Sequence, residues 1–333
     1  YSRLERVFPL FFAIKEENFM KTTNTKSLVE GALLAAINII LSIMAIYMPI
    51  LGTFATLIWP VPIVILGIRH GLKTSILSTV VAGIFVAILS GPFQAVSIVI
   101  SFGLIGIAMG WAINKNLSPF KVLSIGGAAS LISKVALIFI TMLMIGINPL
   151  TEEINLLKES LSVAGSFYEK MGMDPQTVET TIESFTRSLE FLPLVIPGIF
   201  IMASALDTFL TYIVTKAVLS RMGQKLEDLT PFWLWRFPDF TVALFLFGNL
   251  LVLLETYWPV GVLKSIGMNL TLVFGFAFFI QGFSLLAFFL GKYDLAKPLR
   301  LLIVFFILFN PLFLYLIFFA GLFDILFNFR KIY

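Results

Sequence analysis

Cysteine is absent from the 333 residues and histidine occurs once, at His70. Without a thiol the chain has no disulfide, no thiolate nucleophile and no thiolate metal site, and a single imidazole excludes a multi-histidine metal centre. Charge is scarce as well: Asp, Glu, Lys and Arg make up only 13% of the residues, about half of what a soluble globular domain carries. No glycine-rich phosphate loop occurs, so ATP-driven work would need a partner's nucleotide site. The run GIRHGLK at 67–73 is too short to cradle a phosphate. It reads as a helix C-terminus, with Gly71 as the cap and the cations facing the negative helix end. Glu152 and Glu153 stand together at a solvated helix start. No nucleophile is set beside a base, so neither an enzyme nor a resident cofactor or metal is expected. The net charge of +4 is no nucleic-acid signature, because the basic residues sit in short loops beside apolar runs.

What is abundant is apolar surface. Hydrophobic residues reach 59%, with 36 Phe and a mean hydropathy of +1.00. The composition predicts an all-α fold, a polytopic transmembrane helical bundle in contact with lipid. A crossing needs roughly twenty apolar residues, which places spans near 28–47, 50–68, 74–91, 94–113, 122–147, 191–218, 240–257, 265–290 and 301–323. With the N-terminus cytoplasmic, the inner connections collect most Lys and Arg, whereas the outer ones hold only Lys158, Lys170, Arg187 and Lys264. That asymmetry is the positive-inside pattern of a multi-pass membrane protein. The tail is the one conflict: Arg330 and Lys331 would lie outside if 301–323 crossed once. Asn310-Pro311 could instead break that segment into a re-entrant hairpin, so eight or nine spans are expected.

The chain is organised around 30–71, two membrane helices joined by a short turn at 47–52. Residues 20–218 form a six-span core that includes an outer helical hairpin at 148–190, and 219–333 add further spans. Residues 1–19 read as an upstream extension or tail before Met20, or as an interfacial amphipathic segment. In the hairpin, Thr151 followed by two glutamates starts a helix, Gly172 closes it, and Asp174-Pro175 opens a second. Apolar residues recur there at three- and four-residue spacing, so the hairpin is amphipathic. It is expected to lie over the outer mouth as a lid or as a packing ornament. In the inner connection 219–238, Trp233, Trp235 and Arg236 suit either a headgroup-level anchor or a partner contact.

Helices in lipid associate through small residues that let backbones approach. Gly31 with Ala35, and Ala32 with Ala36, lie on adjoining faces of the first span and suit either internal packing or the docking of a second membrane subunit. Lys134 and Asp207 are the ionisable residues deep within spans, where an unpaired charge is costly. They are expected to face each other across the antiparallel pair joined by the hairpin, as a structural ion pair or as a substrate or proton site. Thr53, Thr56, Gln94, Ser97, Thr141 and Ser204 could line a pocket in the outer half of the bundle. Asn249, Asn269 and Gln281 read as hydrogen bonds between helices.

The segments KSLVEGALLAAIN at 26–38, YMPILG at 47–52, WPVPIVILGIRHG at 59–71, LSGPF at 89–93, GINP at 146–149 and GLFDILFNFRK at 321–331 together resemble the YybS-like family of predicted membrane proteins. More distantly, 20–218 is similar to the S components of energy-coupling factor vitamin transporters, which are six-helix bundles. In those proteins an Ala-x-x-x-Ala pattern on the first helix meets the coupling subunit, and Ala32 and Ala36 stand at the matching place. The resemblance implies uptake of a small solute, such as a vitamin or cofactor precursor, with a coupling subunit and ATPases as partners. The alternative is a membrane scaffold or regulatory interaction protein that transports nothing. This chain departs from the S components in its outer hairpin and its extra C-terminal spans.

Overall fold

The computed structural model describes residues 25–293 and 295–331, so the expectation for 1–19 lies outside the described residues. The described residues contain no strand and are helical almost throughout. Seven helices are long and apolar enough to cross a membrane, or up to eight if one bent pair counts as a span. The protein is therefore a multi-pass helical membrane protein, as its composition requires. Contacts divide it into two compact units. One holds the described residues up to Ser133 with Thr208–Leu226; the other holds Lys134–Asp207 and the residues from Glu227 onward. This division runs through two membrane helices and does not coincide with the boundary at 218.

In the first unit, α1 (Thr25–Tyr47) is followed by α2 (Pro49–Ile58) and α3 (Pro60–His70). The span expected at 50–68 is one crossing, Pro49–His70, interrupted only at Trp59, which keeps helical dihedrals and bonds back to Ala55 O, while Pro60, lacking an amide proton, opens the next stretch. Then come α4 (Leu72–Ser90), α5 (Pro92–Ile98), a π-helical turn at Val99–Gly103, and α6 (Leu104–Asn114). Helix α3 is buried from Pro60 to Gly67, which fits a segment apolar on all sides. The Trp59 indole, 1% exposed, donates to Ser42 Oγ at 2.8 Å and packs with Ile63 and Ile98.

Helices α3 and α6 meet at glycines. A β-carbon on Gly110 would stand 3.0 Å from Val64 O and 3.1 Å from Gly67 Cα, whereas one on Gly261, in the other unit, would meet nothing. Gly110→Val is therefore expected to cost about 1–3 kcal/mol through overpacking. Thermal unfolding in detergent checks this, with Gly261→Ala as the neutral control.

Helices α7 (Pro119–Ile145) and α10 (Leu192–Arg221) contribute to both units. Between them, in the second unit, lie α8 (Pro149–Lys170) and α9 (Pro175–Glu190). Asp174 caps α9 as expected, accepting from the Thr177 amide at 3.0 Å. The start of α8 falls earlier than Thr151, because Asn148 accepts from the Leu150 amide and Pro149 takes the first helical position. Gly172, at φ +90°, makes the turn between the two helices.

The unit continues through a 3-10 turn at Phe232–Leu234, α11 (Phe240–Glu255), α12 (Gly261–Lys292), α13 (Lys297–Leu308) and α14 (Pro311–Phe327). Val242, Phe278 and Ile325 form its core, with Phe237, Phe245 and Phe318 packed against them. Helices α13 and α14 are bent by 102° at Asn310, so 301–323 is not one straight crossing. Asn310 caps α14 through the Leu312 amide, and Pro311 withdraws a donor there.

Candidate functional site

Lys134 and Asp207 lie near the middles of α7 and α10, and both belong to the second unit. Lys134 Nζ donates to Asp207 Oδ2 at 2.5 Å, with the side chains 22% and 23% exposed. The two residues expected to face each other do meet. On the hairpin side of the pair, the buried Thr141 and Ser204 occupy the same two helices. The arrangement neutralises two charges that the apolar helices would otherwise leave unpaired.

The other four pocket candidates belong to the first unit. Thr53 and Thr56 donate to helix carbonyls, at Pro49 and Thr53 respectively. Gln94 is exposed and Ser97 partly so, both on α5. The eight candidates therefore fall into two groups of four, one in each unit.

The small-residue patterns of α1 separate onto different faces. Gly31 and Ala35 are buried on the face that carries Asn38 and Ser42, where Ser78 Oγ donates to Gly31 O at 2.8 Å. Ala32 and Ala36 are exposed, in register with Val29, Leu33 and Ile40. Next to this patch, Glu30 holds Arg69 at 3.2 Å and His70 at 2.7 Å. The single histidine thus ties the end of α3 to α1.

Two polar arrangements in the second unit were not foreseen in full. At the first, Asn269 on α12 engages α10 beside Pro197. Its Oδ1 accepts from the Gly198 amide at 2.5 Å, and its Nδ2 donates to Leu194 O at 2.7 Å. Those are the two groups that pair with each other in an uninterrupted helix. Ser265 Oγ also donates to Leu194 O, at 2.9 Å. Asn269 is thus an interhelical contact, as expected, whereas Asn249 donates to Phe245 O of its own helix. Asn269→Leu is expected to cost about 1 kcal/mol and to loosen α10 around Pro197, a change read by amide exchange at Leu194 and Gly198.

The second arrangement surrounds Arg330. Its side chain and that of Asp324 are each 1% exposed, with Nη2 donating to Asp324 Oδ2 at 2.8 Å. Gln281 Nε2 donates to the same oxygen at 2.6 Å while Gln281 Oε1 accepts from the Phe237 amide at 3.0 Å. Arg330 also reaches the carbonyls of Trp233 and Trp235 at 2.6 and 2.7 Å. Arg330, beyond α14, therefore packs against the Trp233–Arg236 loop. A signal for this site existed: Asp324 stands inside the apolar run AGLFDILF, and the rule that singled out Lys134 and Asp207 applies to it equally.

The family model described as "Predicted membrane protein (DUF2232)" matches residues 36–325. A protein of Bacillus subtilis (strain 168), "Uncharacterized protein YybS", is 27% identical over 310 residues, which cover 92% of this chain and 98% of that one. The resemblance carried by the short motifs thus extends over nearly the whole length. No solved structure matches the chain.

Proposed function

The chain belongs to the DUF2232 family of predicted membrane proteins, and from that premise we propose that it is a small-solute uptake subunit of the bacterial plasma membrane. In this reading it resembles the S components of energy-coupling factor transporters, takes a vitamin or cofactor precursor, and relies on a separate coupling subunit with ATPases. Its N-terminus is cytoplasmic, following the Lys and Arg asymmetry of the loops.

The observation that supports docking is the separation of faces on α1. Gly31 and Ala35 serve internal packing, which leaves Ala32 and Ala36 as an outward strip that a partner helix can approach closely. Lys134, Thr141, Ser204 and Asp207 supply polar groups along α7 and α10. Ala32→Leu with Ala36→Leu is expected to strip the coupling subunit and ATPases from the tagged chain without changing its Tm, as read by native mass spectrometry of material purified gently from its own membrane. Identical partner sets for the two chains, or no ATPases with either, would count against the proposal.

A second reading, a scaffold or regulatory interaction protein, draws on the Trp233–Arg236 loop. Arg330 holds its backbone in one shape while Trp233 remains 50% exposed. Recovery of other membrane proteins without ATPases or ligand would favour that reading.

A further inference from the structure

A buried arginine anchors the tail beyond α14. Asn328 leaves the helix at φ +46°, Phe329 and Lys331 are exposed, and Arg330 between them is buried. Its guanidinium is received by groups from three places. Nη1 donates to Trp233 O at 2.6 Å and to Ser284 Oγ at 2.8 Å; Nη2 donates to Trp235 O at 2.7 Å and Asp324 Oδ2 at 2.8 Å; Nε donates to Asp324 Oδ2 at 3.1 Å. This is a planar fork matched on every nitrogen, which an ammonium cannot reproduce.

The receiving groups are also held by one another. Ser284 Oγ donates to Phe232 O at 2.7 Å and Trp235 O at 3.1 Å, and the Trp235 indole donates to Thr230 O at 2.7 Å. Gln281 joins the Phe237 amide to Asp324. Asp324 Oδ1 is buried without a hydrogen-bond partner, so the carboxylate keeps acceptor capacity even with the tail docked. The cradle is thus built by the loop, α12 and α14, and the tail supplies its ligand.

We propose that this end of the second unit is a guanidinium receptor whose ligand is the chain's own Arg330, and that undocking of the tail loosens the Trp233–Trp235 segment of the 230–239 loop. The loop contains only one short 3-10 turn, so its shape depends on partners for its carbonyls. When Arg330 leaves, Trp233 O loses its guanidinium donor, Trp235 O keeps Ser284 Oγ, and the Trp233–Trp235 segment becomes available to a cytoplasmic contact. This device is independent of the uptake reading, and its test uses no transport or partner assay.

The test is amide hydrogen exchange of the 230–239 peptide in the full chain in detergent. Arg330→Ala is expected to speed exchange there by at least about tenfold, in keeping with local opening, and by more than in α11 and α12. Millimolar methylguanidinium should restore protection saturably in Arg330→Ala, and methylammonium should not. Arg330→Lys, which keeps the charge, should exchange at an intermediate rate; it carries the test if the alanine variant cannot be purified. Exchange in Arg330→Lys equal to wild type, or rescue by the two amines alike, would overturn the proposal.

Discussion

Asp324→Leu and Arg330→Met are each expected to destabilise the protein by about 3–5 kcal/mol, whereas the two together recover most of that loss. The reason lies in the burial of both partners, with each side chain 1% exposed. Removing Arg330 leaves a carboxylate in an apolar core with one oxygen already unpartnered and the other held only by Gln281 among its side-chain donors. Removing the charge of Asp324 leaves a guanidinium with two carbonyls and a hydroxyl but no counterion. The double variant removes both charges and fills the space with apolar volume, next to Ile325 and Phe278. Unfolding in detergent, compared across the cycle of single and double variants, reads the coupling directly. A double variant no more stable than either single would show that the network is held by something other than the charge pair.

The parts of the fold legible in the sequence are those fixed locally. Asp174-Pro175 announced a helix start because a carboxylate cap and a proline at the first position need no tertiary partner. Asn310-Pro311 announced a break for the same reason. Lys134 and Asp207 were legible through cost, since a charge in the middle of an apolar run must find a partner, and span lengths set their common depth. The crossing at 50–68 was legible as a span, whereas its one-residue interruption at Trp59 was not, because the indole there is held by tertiary partners, packed on Ile98 and bonded to Ser42.

On α1, periodicity gave two equivalent small-residue faces. Asn38 and Ser42 share the register of Gly31 and Ala35, and that polar-bearing face is the one turned inward. The Arg330 cradle was harder still. Two of its acceptors are main-chain carbonyls of Trp233 and Trp235, and hydropathy patterns carry no information about backbone acceptors far away in sequence.

Lys134 and Asp207 yield the other large expected effect, and it separates structure from function. Lys134→Met or Asp207→Leu alone is expected to cost about 3 kcal/mol, because each takes the opposite charge away from its partner at membrane depth. Their side chains remain 22% and 23% exposed, so some relief by reorientation tempers the loss. The exchanged pair, Lys134→Asp with Asp207→Lys, restores opposite charges across the same two helices and should recover Tm to near the wild-type value. If the pair is only a tie between α7 and α10, every measurable activity recovers with Tm. If the pair receives a solute or a proton, as the uptake reading holds, the exchanged chain is stable but inactive, because the two charges meet the bound species from the wrong sides. A stable, inactive exchange variant therefore assigns the pair a role in binding or proton transfer, whereas a stable, active one leaves it as structure and moves the search for a site to the other polar groups along α7 and α10.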